Sequence, residues 1–390
     1  MKKRPLKILT AGGGSGGHVT PISAVITELR TLSPGSRIYL WTDFKFYASA
    51  KKLIDSRSRG VKISRIFAGK FRRYSGFTAA DYLKNPLIIL LNFRDLFLIF
   101  LGFIQSFIKL IILRPDIIFL KGGYVCLPVG VVARMFNIPF VIHDSDTVPG
   151  LTNRFLSGYA TRIATGMPLE NYNYPESKAR YTGIPTAQAF TPVGLKTRRE
   201  LKTSLGFNSA KPLVFITGGG LGAKRINESA IHQLEHLLPI TSIALVTGTE
   251  HFDEIKSSLD TTKHPDFKIF AFLSGNYVDH LQAADIVVAR AGATAIIELA
   301  NAAKPAIIIP NAQLPGRHQV KNADFLKRHN AAVIVPDELI ANDPAALTRA
   351  VKKLLDDPER RSRLSSQIHT LARPDSATQV AQLVLDTIRR

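Results

Sequence analysis

Cysteine is almost absent from this chain: Cys126 is the only one among 390 residues. An intrachain disulfide and a multi-cysteine metal site are therefore excluded, and a reducing cytosol is the natural compartment. A secretory leader is not expected either. In MKKRPLKILTAGGG the basic tip leads to only a few apolar residues before glycines interrupt them, too few for a signal peptide's apolar core. Neither glycine cluster is followed by Gly-Lys-Ser/Thr, which argues against a P-loop nucleotidase. Acidic residues are outnumbered, 30 Asp plus Glu against 51 Lys plus Arg, for a formal charge of +21. That excess predicts attraction to polyanions: nucleic acid, an acidic membrane face or a phosphorylated substrate. The sequence has no aromatic RNA-binding consensus, zinc finger or basic zipper, so a nucleic-acid partner is not expected. Low-complexity tracts are absent, and 45% hydrophobic against 21% charged residues describes a chain that folds.

What is present is one grammar used twice. LKILTAGGGSGGHVTPISAVITELR reads as a short apolar strand, a glycine loop and a helix with Ile22, Val25, Ile26 and Leu29 on one face. LVFITGGGLGAKRINESAIHQLEHLL, from Leu213 to Leu238, repeats the pattern. Strand-like runs follow in each half, at Arg37 to Trp41, Asp116 to Leu120 and Phe140 to His143, then at Ser242 to Val246, Asp285 to Ala289 and Ala306 to Pro310. Helical stretches alternate with them, so the fold class is α/β, with two doubly wound Rossmann-like domains. Ligands in such sheets sit at the carboxyl ends of the strands, and a cleft between the halves is the default active site. The boundary falls in the Thr, Gly and Pro-rich interval from Gly183 to Gly194, which divides the chain into 1-186, 187-373 and a C-terminal helix, 374-390.

Gly12, Gly14 and Gly17 satisfy G-x-G-x-x-G, and Gly218, Gly220 and Ala223 its alanine variant. One reading is a nicotinamide-dependent oxidoreductase with Asp43 on the ribose; it leaves the second half unexplained. In any reading the loops offer unhindered backbone N–H groups at a helix N-terminus, which suits phosphate. His18 stands where the first helix begins, either capping it or acting as an acid–base group near neutrality. His232 and His236, four apart on a predicted helix, have metal-ligand spacing but no third ligand nearby, so a surface helix is expected. Pro86 to Leu113 is unusually apolar, and its longest charge-free run, Leu96 to Ile108, has 13 residues, short of a membrane span. Arg94, Asp95 and Lys109 interrupt it, and Lys62, Arg65, Lys70, Arg72 and Arg73 lie upstream. Two readings stay open, an interfacial helix on anionic lipid and a pair of helices packed on the first sheet.

Set beside GYVCLPVG, VIHDSDTVPGLTNRFL, ADIVVARAGATAIIELANAAKPAIIIP and HQVKNA, these loops give the chain a specific resemblance. Over nearly its whole length it resembles the MurG-like glycosyltransferases, GT-B enzymes of family 28, most specifically at Gly13 to Pro21, Val148 to Arg154 and Arg290 to Thr294. The resemblance implies inverting transfer of N-acetylglucosamine from UDP-N-acetylglucosamine to the muramyl C4 hydroxyl of a lipid-linked pyrophosphoryl acceptor, lipid I, in peptidoglycan synthesis. It also implies two domains facing each other across a cleft, the first for acceptor and membrane, the second for the nucleotide sugar. No cofactor or metal is expected, and the implied location is peripheral, on the cytoplasmic face of the cell membrane, with an anionic membrane surface as partner. A related enzyme with another nucleotide sugar or lipid acceptor is the near alternative.

By the same resemblance His18 is the catalytic base. Gly13, Gly14, Gly122, Gly123, Tyr124 and His143 fall on the acceptor side. Ser15, Gly16 and Gly17 cradle the acceptor pyrophosphate and also border the donor. Asp146, Gly220, Leu221, Ser274, Gly292, Ala293, Thr294, Glu298, His318 and Gln319 fall on the donor side, with Glu298 accepting from both ribose hydroxyls. A helix N-terminus would stabilise the charge on departing UDP. The chain departs from the family pattern at His143, Asp144, Ser145, Asp146, where the family has His-Glu-Gln-Asn, and there it also spells the metal-binding D-x-D. Gly220, Leu221 and Ala187 depart as well, altering three donor-side contacts together with Asp146.

Overall fold

A computed structural model describes residues 4–14, 16–58, 60–70, 84–186, 190–219, 222–259, 264–273 and 275–388; at 16–18, 56–57 and 315 the description covers backbone alone. The chain divides into two compact units, Met1–Ala187 with Asp375–Arg390, and Gln188–Pro374.

In the first unit seven parallel strands form one sheet: β1 (Lys7–Ala11), β2 (Arg37–Thr42), β3 (Lys62–Arg65), β4 (Ile117–Leu120), β5 (Phe140–Asp144), β6 (Arg162–Thr165) and β7 (Ala179–Tyr181). Their order is β3-β2-β1-β4-β5-β6-β7, with Ile8 paired to Ile38 on one side and Ile117 on the other. Helices cover both faces, so the central strands are continuous apolar runs, and β4 is buried at every residue. The chain winds outward from β1 to β3 and then returns to β4, which makes the gap between β1 and β4 the switch point of the sheet. The loops after those two strands are consequently neighbours. The last helix, Ser376–Ile388, closes this unit: Val380 and Val384 join Ile22, Val25, Ile26 and Leu29 in one core, and the Ser376 hydroxyl donates to the Ile184 carbonyl at 2.7 Å.

The apolar stretch is one helix, Pro86–Leu113, rather than the alternative pair of helices. It buries a narrow stripe, Asp95, Ile99, Gly102, Ser106 and Leu110, partly against the helix Cys126–Met135. A chain segment crosses it so closely that a Cβ on Gly102 would lie 2.3 Å from the Phe67 carbonyl oxygen, and one on Gly69 1.9 Å from that of Asp95. Two of its polar residues turn toward the fold: Asp95 is buried, and the Lys109 ammonium donates to the Arg65 carbonyl at 2.6 Å. The other side, including Leu90, Phe93, Phe97, Phe100, Ile104 and Ile112, is exposed. By length and composition the helix is able to cross a membrane.

In the second unit six parallel strands, β8 (Leu213–Thr217), β9 (Ser242–Val246), β10 (Phe267–Phe270), β11 (Ile286–Ala289), β12 (Ala306–Ile308) and β13 (Val333–Ile334), take the order β10-β9-β8-β11-β12-β13. Its switch point lies between β8 and β11, again beside the first strand. The expected single helix carrying His232 and His236 is broken: one helix ends at His232, Gln233 leaves helical geometry, and Leu234–Leu237 forms a separate turn. His232 and His236 therefore lie in different helical segments.

Candidate active site

At the first switch point the loop after β1 begins with the Gly12 amide donating to the Trp41 carbonyl at 3.2 Å. Gly13 has no room for a side chain, since a Cβ would sit 2.4 Å from Asp43 Oδ2. Gly14 has φ +83°, and its amide donates to the same Oδ2 at 2.7 Å. That amide is therefore engaged within the fold. The other Asp43 oxygen accepts the Phe46 amide at 2.9 Å. Facing inward, this carboxylate is unavailable to a nicotinamide ribose, so the oxidoreductase reading loses its acidic residue. His18 is the third residue of the helix Gly16–Leu32, where first-turn amides lack internal partners. Ser15 lies outside the described residues, and Gly16 and Gly17 are the helix's first two.

Beside this loop, after β4, Gly122 and Gly123 have φ +100° and +82°, a left-handed pair that aims successive amides alike, as anion-binding loops do. Tyr124 follows, half-buried, its hydroxyl pushed above the ordinary range chiefly by burial and then by Asp43. His143 is fully buried, Nε2 donating to the Gly183 carbonyl at 2.9 Å and its own carbonyl accepting Asn153 Nδ2 at 2.9 Å. Asp144 accepts Asn153 Nδ2 at 2.8 Å and the Gly150 amide at 3.2 Å through Oδ1, and the Tyr174 hydroxyl through Oδ2. Both its oxygens are committed, so the D-x-D spelling is not a pair of outward carboxylates. Burial raises the Asp144 pKa and those hydrogen bonds oppose the rise. Lys121, almost wholly buried, donates to Ser145 Oγ at 2.6 Å; burial lowers its ammonium to about 8, against the pull of Asp144 and Asp146. Asp146 itself is half-buried, its carbonyl accepting the Tyr172 hydroxyl at 2.7 Å.

The second switch point is built differently. After β8, a Cβ on Gly218 would lie 2.4 Å from the Ala223 nitrogen, and one on Gly222, at φ +77°, 2.1 Å from the Thr247 carbonyl oxygen. Gly220 and Leu221 lie outside the described residues, as do Ser274 and Ala187. After β11, Gly292 precedes the helix Ala293–Asn301, whose start no side chain caps, with Ala293 and Thr294 in its first turn. Nothing lies within 4 Å of a Cβ built on Gly292, so the missing side chain leaves open space at a helix N-terminus. Further along, Glu298 is buried and Oε2 accepts the Tyr277 hydroxyl at 3.1 Å. Burial pushes its carboxyl up to about 7, and the Tyr277 hydrogen bond pulls it partly back. The loops on either side of the switch are tied through Asp337, which pairs with Arg225 beyond the glycine loop and with Arg290 before Gly292. His318 and Gln319 begin the helix His318–Arg328, half-buried; Gln319 Oε1 accepts the Asn311 amide at 2.9 Å. Asn322 of that helix donates to the Ala291 carbonyl at 3.0 Å, which brings the pair to the Gly292 loop.

The sequence reading missed Lys121, Tyr277 and Asp337 as members of these sites. Each acts on a partner distant in sequence, and no local pattern marks them. Arg290 alone carried a signal, from its place beside the Gly292 turn.

Residues 8–165 match the glycosyltransferase family 28 N-terminal domain and residues 213–380 the family 28 C-terminal domain. The chain is 30% identical, over 98% of its length and all of the relative, to a UDP-N-acetylglucosamine--N-acetylmuramyl-(pentapeptide) pyrophosphoryl-undecaprenol N-acetylglucosamine transferase of Listeria welshimeri. A Bacillus cereus transferase of the same description is 29% identical over 99% of this chain and all of its own. Among solved structures, Acinetobacter baumannii MurG superposes with a TM-score of 0.71 at 24% identity, over 98% of this chain and all of that one, a likeness of fold.

Proposed function

The chain belongs to glycosyltransferase family 28, and from that premise we propose that it moves N-acetylglucosamine from UDP-N-acetylglucosamine to the muramyl C4 hydroxyl of a lipid-linked pyrophosphoryl acceptor in peptidoglycan synthesis. The observation that carries this reading is end-to-end collinearity with enzymes named for that reaction, which includes both switch-point loops.

In this reading the second unit takes the donor. Open amides at the start of Ala293–Asn301 receive the diphosphate, and the helix dipole stabilises the charge that grows as the sugar's bond to phosphate breaks. Glu298, ionised, accepts from the ribose hydroxyls, while His318 and Gln319 meet the transferred sugar. Gly220, Leu221, Ser274 and Asp146 complete the donor side. The first unit takes the acceptor: Gly122, Gly123 and Tyr124 hold its diphosphate with Ser15, Gly16 and Gly17. His18 removes the proton from the attacking hydroxyl, the oxygen bonds to the anomeric carbon from the face opposite UDP, and UDP leaves with the bonding pair, inverting that carbon. The exposed side of Pro86–Leu113, with Lys62, Arg65 and Lys70 nearby in sequence, rests on an anionic membrane at its cytoplasmic face, so the polyprenyl tail need not leave the bilayer. Arg72 and Arg73 lie outside the described residues.

Transfer of labelled sugar from UDP-N-acetylglucosamine to a short-chain lipid-linked acceptor tests this reading. Wild type should transfer, and His18→Ala should lose about 10²–10⁴ in turnover with UDP affinity unchanged. A wild-type protein that binds UDP but transfers nothing to this acceptor refutes the assignment; equal turnover in the variant removes His18 from the chemistry.

A further inference from the structure

Asp43 stands just beyond β2 and is 4% exposed, a buried carboxylate that the proposed chemistry does not use. Two backbone donors hold it, and Tyr124 lies close by. The Gly14 amide reaches Oδ2 at 2.7 Å and the Phe46 amide reaches Oδ1 at 2.9 Å, and the carboxylate lies close enough to Tyr124 to help raise its hydroxyl's pKa. Gly14 belongs to the loop after β1 and Tyr124 to the loop after β4, the two strands that flank the switch point. The packing leaves little slack, since a Cβ on Gly14 would lie 2.5 Å from Tyr124 Cε1 and one on Gly13 2.4 Å from Asp43 Oδ2. An amide in its place would turn its NH₂ toward one of these backbone donors.

We propose that Asp43 is a positioning residue for the acceptor: by holding Gly14, which packs against the Tyr124 ring, it fixes the spacing of the two loops, and hence how the start of Gly16–Leu32 and the Gly122–Gly123 turn meet one diphosphate. The proposal rests on the reading of the first unit as the acceptor side. Phe46 alone would account for a local turn. Gly14 and Tyr124 are distant in sequence from Asp43 and from each other, and their convergence couples loops that the backbone does not join.

The test uses the full-length protein with Asp43→Asn, Tyr124→Phe and the double variant, assayed for transfer with short-chain lipid-linked diphosphate and UDP-N-acetylglucosamine varied in turn. Asp43→Asn should lower kcat/KM for the acceptor at least about tenfold, the effect of losing a hydrogen bond to a charged group. KM for the donor and UDP affinity should stay within about twofold, which a general loss of structure would not allow. Tyr124→Phe should lower the same acceptor parameter, and the double variant should lose less than the product of the single effects. Acceptor kcat/KM near the wild-type value in both single variants, or equal losses for donor and acceptor, overturns the proposal. If Asp43→Asn does not fold, Asp43→Glu, which keeps the carboxylate and displaces it by one methylene, decides by the same acceptor-against-donor comparison. Absence of wild-type transfer would instead refute the functional reading, and this proposal with it.

Discussion

The two units place their paired loops identically, one after the first strand of the sheet and one after its neighbour, yet brace them with opposite chemistry. In the first unit a carboxylate accepts a backbone amide, that of Gly14, so bracing consumes a group that could have bound phosphate. In the second, Asp337 holds Arg225 and Arg290 side chain to side chain, and the amides that open Ala293–Asn301 carry no side-chain cap. The glycines divide the same way. Gly13, Gly14, Gly218 and Gly222 are demanded by neighbouring atoms, whereas Gly292 has nothing near it. A glycine-rich loop thus mixes residues that serve the fold with residues that serve a ligand, and only the surroundings tell them apart.

Gly222→Ala should produce the largest effect in this comparison. A methyl group there meets the Thr247 carbonyl oxygen at 2.1 Å on a backbone held at φ +77°. Strain and clash together should cost at least about 3 kcal/mol, seen as a lowered unfolding transition of the second unit in calorimetry. A transition left in place would show that the glycine loop relaxes freely, and the distinction between the two kinds of glycine would fail.

Glu298→Gln comes next, and its sign depends on pH. An ordinary glutamate titrates near 4.5, and burial pushes this one up to about 7. Between those values the folded chain keeps a proton that the unfolded chain has released, so stability falls as pH rises from about 4.5 to about 7 and stays low above. Glutamine removes that penalty, and at pH 8 the variant should be more stable than wild type by about 1–3 kcal/mol in denaturant unfolding. It should also bind UDP about tenfold or more weakly, since the ribose hydroxyls lose a charged acceptor. In wild type, UDP affinity should fall toward acid below about pH 7, because binding must then expel the proton, while the variant's affinity stays flat. A wild-type profile as flat as the variant's would separate Glu298 from the ribose.

Much of this architecture is legible because it is local. A strand, a glycine loop and an amphipathic helix follow one another in both halves, and the run Ser242 to Val246 coincides with β9. Strands β3, β6 and β10 interleave charged or polar residues with apolar ones and owe their pairing to neighbours, so they left no apolar run to find. Charges inside Pro86–Leu113 looked like interruptions, yet Asp95 and Lys109 point toward the fold through contacts made by a distant segment. Asp43 follows the second strand, somewhat farther from the first glycines than the motif's usual acidic residue, and that place suggested a ribose. Its actual partners are the Phe46 amide close by and the Gly14 amide from another stretch of chain. What a carboxylate does in such a sheet depends on whether it points over the loop or into it, and sequence distance carries no information about that.

The smallest change makes the sharpest test. Gly292 sits at φ −72°, a conformation open to any residue, so alanine there adds one methyl group to empty space. As an N-cap, alanine is poorer than glycine, and the expected loss of stability is no more than about 1 kcal/mol. If that space is where the donor diphosphate lies, the methyl group should obstruct it and weaken UDP binding about tenfold, measured by calorimetric titration, with unfolding almost unmoved. Gly222→Ala reverses the pattern, losing stability first and ligand binding only as a consequence. Should Gly292→Ala bind UDP as tightly as wild type, the open helix start would not be the phosphate site, and the donor would have to be held chiefly by the loop after β8.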